Sequence, residues 1–182
     1  MPVKKKTAKS LVRPIAKKTS TAAQSASVAL EGKKAPAFEL PAGDGGKVKL
    51  ADLVRRGNVV LYFYPKDMTS GCTAEACSFR DNLSAVRALG AQIVGVSADS
   101  PDSHSKFTGK YDLNFPLLSD SDNKVGKLYG VYKMKSMYGR QYMGIERTTF
   151  IIDRAGVVRK VFPKVKVNGH TDEVLAALKA LG

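Results

Sequence analysis

The sequence predicts an α/β fold: a central mixed β-sheet flanked by helices, preceded by an amino-terminal β-hairpin. Three observations carry this. Two nearly continuous apolar runs rich in β-branched residues, "VVLYFYP" and "AQIVGVSAD", are each followed by a helical pattern. A pair of strand-like segments brackets the turn "DRAG" near the carboxyl end, and an amphipathic stretch closes the chain. Parallel strands need helical crossovers, so this order places helices on both faces of one sheet.

Taken in order, "FELPAGDGGKVKL" is a strand, a Gly/Asp turn and a second strand, which is a hairpin pattern. Val59 to Pro65 alternates neither in polarity nor in size and reads as a strand buried on both faces. "CSFRDNLSAVRALG" spaces Phe79, Leu83, Val86 and Leu89 as one apolar helical stripe, with Gly90 as the stop. "AQIVGVSAD" is the second buried strand. "SPDSHSKFTGKYD" opens a helix with Ser100 as N-cap and Pro101 at the first position. "DSDNKVGKLYGVY" suggests a short helix, "RTTFIIDRAGVVRKVF" a strand pair, and "HTDEVLAALKAL" a final helix with Thr171 as N-cap.

The 182 residues are enough for one substantial core and suggest a single folded domain over residues 31–182. The longest apolar runs are strand-sized, well short of the roughly 20 residues of a membrane span, so no membrane association is expected. Of the formal net charge of +14, half lies in residues 1–30, which carry Lys4, Lys5, Lys6, Lys9, Arg13, Lys17 and Lys18 and no acid. That segment lacks aromatic residues and any sustained apolar period, and reads as a disordered basic tail. A solvated tail, a nucleic-acid arm, a nuclear address and an organelle transit segment all fit its composition. The cytoplasm is the default location, with nucleus or organelle as the alternatives opened by the tail.

The chemistry concentrates in "YPKDMTSGCTAEACSFRD", which holds both cysteines, Cys72 and Cys77, without a neighbouring histidine. An ordinary thiol, with a pKa of about 8.5, is only a few per cent ionised at neutral pH, so a reactive cysteine needs help. Cys72 falls in the first turn of the helix after the strand, where free N–H groups favour an anion by about 0.3–1 kcal/mol. That is less than one pKa unit, so a cation must add to it. Arg147, at the head of "RTTFIID", is the candidate. Glu75 either orients that arginine or favours the helix start. His104 and His170 are expected to be exposed helix or loop residues, and their distance in sequence from the cysteines argues against zinc. Tyr62 and Tyr64 are assigned to core packing.

Pro65, Thr69 and Cys72 stand in the P-x-x-x-T-x-x-C spacing of the peroxiredoxins, and "CTAEACSFRD" is similar to the bacterioferritin comigratory protein, or PrxQ, branch. The resemblance runs over roughly residues 31–181, through "GKKAPAFELP", "VGVSAD", "FPLLSD" and "RTTFIID". It implies a thioredoxin-like fold and a cofactor-free thiol peroxidase. Under it, Cys72 resembles the peroxidatic cysteine, Thr69 a hydroxyl that contacts thiolate and peroxide, Pro65 a shield of the pocket, and Arg147 the cation at the developing charge. Cys77 resembles the resolving cysteine, giving an intrachain disulfide that a thioredoxin-type dithiol reduces. The pattern departs at Ser70, where many relatives have proline, and at Met68, where many have aspartate.

Residues five apart in an unbroken helix are separated by about 7.5 Å along the axis, whereas a disulfide tolerates Cα separations only up to about 7 Å. Unwinding of the Cys72–Cys77 segment in each cycle is therefore expected. An intrachain pair makes a monomer sufficient. Two other functions remain open at this stage: a general thiol–disulfide oxidoreductase, although its two-residue cysteine spacing is absent, and a basic-tailed nucleic-acid-binding protein.

Overall fold

The computed structural model describes residues 26–182. The basic tail predicted for residues 1–30 lies, for residues 1–25, outside the described residues. Its last residues belong to the fold. Ser27 is buried, and Ala26 and Ser27 sit so close to Gly130 that a methyl there would meet Ala26 Cβ at 2.9 Å. The compact unit thus begins before Glu31.

The amino-terminal hairpin pairs β1 (Glu39–Pro41) with β2 (Lys47–Lys49) and runs into α1 (Leu50–Arg56). The main chain then gives β3 (Asn58–Phe63), α2 (Ser70–Asp81), α3 (Leu83–Ala88), β4 (Ala91–Ser97), α4 (Pro101–Tyr111), β5 (Leu117–Ser119) and α5 (Lys124–Leu128). A second hairpin, β6 (Tyr132–Met137) with β7 (Arg140–Ile145), precedes β8 (Thr148–Ile152), β9 (Val158–Phe162) and α6 (His170–Ala180). The five-stranded sheet has the order β5-β4-β3-β8-β9, with β3, β4 and β5 parallel and β8 and β9 antiparallel to their neighbours. This is the mixed sheet that the sequence predicts.

Strand β3 occupies the middle of the sheet because almost all of it is apolar, and its alternation divides the core in two. Val59, Leu61 and Phe63 face the hairpin, α1 and α5, with Phe150 and Tyr129 around them. Val60 and Tyr62, with Tyr64 just beyond the strand, face the helices that bring Phe79, Leu83, Val86, Phe107, Val174 and Leu178. Cys72 belongs to this second layer. The strand therefore ends with its chain pointed at the layer that holds the thiol.

Several local expectations are corrected. The helix expected through Leu89 breaks at Asn82, which separates α2 from α3. The Asn82 side chain donates to Ser78 O at 2.9 Å and shares that carbonyl with its own backbone N–H at 3.2 Å. Thr171 does not cap α6. Its hydroxyl shares a 2.7 Å hydrogen bond with Ser78 Oγ, and Gly169, at φ +79°, turns the chain into the helix. His104 and His170, expected at the surface, are buried. Polar partners make that possible: His170 Nε2 lies 2.8 Å from Thr149 Oγ1, and both His104 ring nitrogens find oxygen acceptors. The hairpin β6–β7 has no counterpart in the sequence reading, because its turn sets Tyr138 at φ +51° ahead of Gly139 at φ +75°. Two-residue turns of this type ordinarily announce themselves with Asn or Asp.

Gly95, in the centre of β4, gives the Tyr62 ring its place. A methyl there would meet Leu117 Cδ2 at 2.7 Å and Tyr62 Oη at 2.8 Å. Gly95→Ala is accordingly expected to destabilise the fold by about 1–3 kcal/mol through overpacking, measured as a lowered denaturant midpoint at unchanged slope.

Candidate active site

The turn after β3 is Tyr64–Thr69, and α2 starts at Ser70 with Thr69 as N-cap residue in extended conformation (φ −78°, ψ 151°). Cys72 is thus the third residue of the helix, within the turn whose N–H groups lack intrahelical acceptors. Its thiol is 2% exposed and free. Arg147, just before β8, reaches it from across the sheet: Nη2 lies 3.2 Å from Cys72 Sγ, while Nη1 donates to Glu75 Oε2 in a close ion pair. Gly71 keeps this approach open, since a methyl there would sit 3.3 Å from Nη2. One guanidinium thus touches sulfur and carboxylate at once.

Glu75 stands one turn after Cys72 and is buried, with Oε1 lacking a hydrogen-bond partner among the described residues. Burial pushes its carboxyl up to about 7, against the opposing pull of Arg147. On the arginine, burial works against the charge, but Glu75 and Cys72 outweigh it and hold the guanidinium above its ordinary value. The arginine is itself framed. Glu146 pairs with the buried Lys133 at 2.7 Å, and Lys135 Nζ donates to Ile145 O at 2.9 Å. Burial draws the Lys135 ammonium down, with Glu146, Arg147 and Cys72 all close enough to act on its charge.

The remaining predicted site residues divide. Thr69 and Pro65 are exposed in the turn, and Thr69 Oγ1 donates to Lys66 O at 3.0 Å. Cys77 lies half-buried on the same unbroken helix as Cys72, and its thiol is also free. Sequence reasoning missed Lys133, Lys135 and Glu146, whose signal is hidden in a hairpin that was not foreseen. It also missed Asp67 and His104, which meet under the turn.

A profile of the AhpC/TSA family matches residues 31–161. The chain belongs to this peroxiredoxin family. It is 52% identical to the putative peroxiredoxin Bcp of Coxiella burnetii over 147 residues, 81% of this chain and 97% of that protein. Against the peroxiredoxin Bcp of Bacillus subtilis the identity is 49% over 148 residues, 81% of this chain and 94% of the relative. A solved structure of the Xanthomonas campestris bacterioferritin comigratory protein superposes with a TM-score of 0.75 at 44% identity, covering 79% of this chain and 91% of that one. The peroxiredoxin is therefore an oxidoreductase of the Bcp group with a thioredoxin-like fold.

The Glu75 carboxyl holds its proton more tightly in the folded chain than at its ordinary 4.5. Its contribution to stability is complete below about 4.5 and lost as pH rises through about 7. Unfolding free energies measured between pH 5 and 8 should fall with pH in the wild type by on the order of 3 kcal/mol at most. The Glu75→Gln variant should show a flatter profile; equal slopes would contradict the assignment.

Proposed function

We propose that Cys72 is the peroxidatic cysteine and Cys77 the resolving cysteine of a thiol peroxidase that acts on hydrogen peroxide and organic hydroperoxides. The single observation that carries this is the 3.2 Å contact of Arg147 Nη2 with Cys72 Sγ at the start of α2. Helix terminus and guanidinium together favour the thiolate, which is the attacking species. The same guanidinium can donate to the oxygen that departs.

In the proposed reaction the Cys72 thiolate attacks the nearer peroxide oxygen, and the O–O bond breaks. The leaving oxygen takes a proton to become water or an alcohol, and Cys72 becomes a sulfenic acid. Charge grows on the leaving oxygen, where Arg147 offsets it. The Thr69 hydroxyl, now directed to Lys66 O, must turn toward the pocket to meet thiolate and peroxide. Pro65 stands at the rim and shields it. Cys77 sulfur then attacks the sulfenic sulfur, water leaves, and a disulfide joins the two. A dithiol reductant of the thioredoxin type restores both thiols. Organic hydroperoxides are supported by the Xanthomonas campestris relative, whose structures concern alkyl peroxide reduction activity.

Both cysteines lie on one helix, five positions apart, a spacing too long for a disulfide while α2 is intact. The reading therefore includes unwinding of α2 between the first and second chemical steps. One chain suffices for the cycle, so the protein is assigned as a monomer. No helix among the described residues is long and apolar enough to cross a membrane. A disulfide that must be reduced in every turnover needs a compartment supplied with dithiol, which supports the cytoplasm. The domain assignment is a catalytic unit ending at residue 182 with a basic segment ahead of it that takes no part in the chemistry.

Mass analysis after one equivalent of hydrogen peroxide tests the scheme. Wild-type protein should lose two thiols and two mass units. Cys72→Ser should consume no peroxide, and Cys77→Ser should gain one oxygen and stall after a single round. Reactive Cys72→Ser protein would overturn the assignment. Hydrogen exchange provides the second check: amides of α2 should lose protection in the disulfide form, and equal protection in both redox states would exclude the unwinding.

A further inference from the structure

The chemistry above leaves several buried ionisable groups without a part, and one of them sits directly under the turn that precedes Cys72. His104, on α4, is 0% exposed. Its Nε2 lies 3.1 Å from Leu118 O, and its Nδ1 2.9 Å from Asp67 Oδ2. A carbonyl oxygen only accepts, so Nε2 carries a hydrogen. Asp67 Oδ2 also receives the Ser103 hydroxyl at 2.7 Å, and Oδ1 receives the Tyr64 hydroxyl at 2.7 Å. Burial raises the Asp67 carboxyl, yet hydrogen bonds from His104, Tyr64 and Ser103 outweigh it and hold the group below its usual range. Nδ1 thus lies within hydrogen-bond distance of a carboxylate that two hydroxyls hold from other directions.

What this arrangement holds is the turn that delivers Cys72. Between Pro65 and Ser70, Asp67 is the one buried residue. Its backbone N–H donates to Asp99 Oδ2 at 2.9 Å, and the Asp99 carboxylate is in turn fixed by the Ser97 hydroxyl at 2.7 Å. The next residue, Met68, has φ +62°, a left-handed conformation that costs a non-glycine residue free energy and persists only where neighbours enforce it. Asp67 is thus the anchor of an otherwise exposed loop; Ser103 and His104 fasten it to α4, and His104 links it on to β5 through Leu118 O.

We propose that His104, held between Asp67 and Leu118 O, is a positioning residue for peroxide reduction, clamping the Tyr64–Thr69 turn so that Thr69 and Cys72 meet the substrate in register. This rests on the reading of Cys72 given above. Small displacements of reacting groups are costly, a misplacement of about 1 Å being worth up to about a hundredfold in rate.

Two variants separate positioning from mere filling of space. Asparagine can place an amide N–H where Nδ1 stands and keep the Asp67 contact; glutamine can place one where Nε2 stands and keep only Leu118 O. In a Cys77→Ser background, the rate of Cys72 oxidation by hydrogen peroxide is followed by quenched thiol alkylation and mass spectrometry. His104→Asn should stay within about threefold of the parent, and His104→Gln should fall by about tenfold or more. Equal rates for the two at equal thermal stability would overturn the proposal. An inert parent would instead refute the role of Cys72, so the two failures are distinguishable. Amide hydrogen exchange of residues 66–69 gives a second readout: it should quicken in His104→Gln and not in His104→Asn, and equal exchange in the two would overturn the clamp.

Discussion

The approach of one guanidinium to one sulfur governs the arrangement of everything around it. A helix start alone stabilises an anion by less than one pKa unit, so a thiol buried at 2% exposure needs a second, permanent positive charge. Arg147 supplies it from the strand that pairs antiparallel with β3, which is why a residue 75 positions away in sequence lies 3.2 Å from Cys72 Sγ. The sheet order is what makes the contact local. Glu75 then holds the arginine from the helix, and the Lys133–Glu146 pair ties down the chain next to it on the hairpin side.

A site built in this way carries opposed demands. Peroxide reduction asks that the first turn of α2 stay ordered, with the sulfur against the cation. The Cys72–Cys77 disulfide proposed above asks that the same helix come apart. The turn before the helix is fixed through the buried Asp67, and the far half of α2 is held by the wholly buried Phe79 together with the polar contacts Ser78 to Thr171 and Arg80 Nη1 to Tyr111 O at 2.6 Å. The proposed unwinding therefore has to release a core side chain as well as hydrogen bonds.

The sheet and most helices were legible because their apolar spacing is unambiguous. Val59 to Phe63 is buried on both faces and could only be central, and Phe79, Leu83 and Val86 form the stripe their spacing implies. The arginine was legible by chemical need, since a thiolate without a histidine demands a cation. The rest depended on contacts between segments distant in sequence. His104 and His170 look like surface residues until Asp67, Leu118 O and Thr149 come under them in the folded chain. The second hairpin was hidden by a tyrosine in a left-handed turn, and with it went Lys133 and Lys135. The helix break at Asn82 is a local backbone departure, φ −103° and ψ 8°, which no periodicity reports.

Asn82 has a further consequence. Helical order spreads cooperatively along a ladder of backbone bonds, and so does its loss. Although α2 ends at Asp81 and α3 begins at Leu83, Asn82 carries the ladder across, its N–H donating to Ser78 O at 3.2 Å and its carbonyl accepting from Val86 N–H at 3.1 Å. Under the cycle proposed above, loosening near the thiols is thus transmitted toward the buried Leu83 and Val86, and the wholly buried Phe79 on α2 is the core side chain it would uncover first.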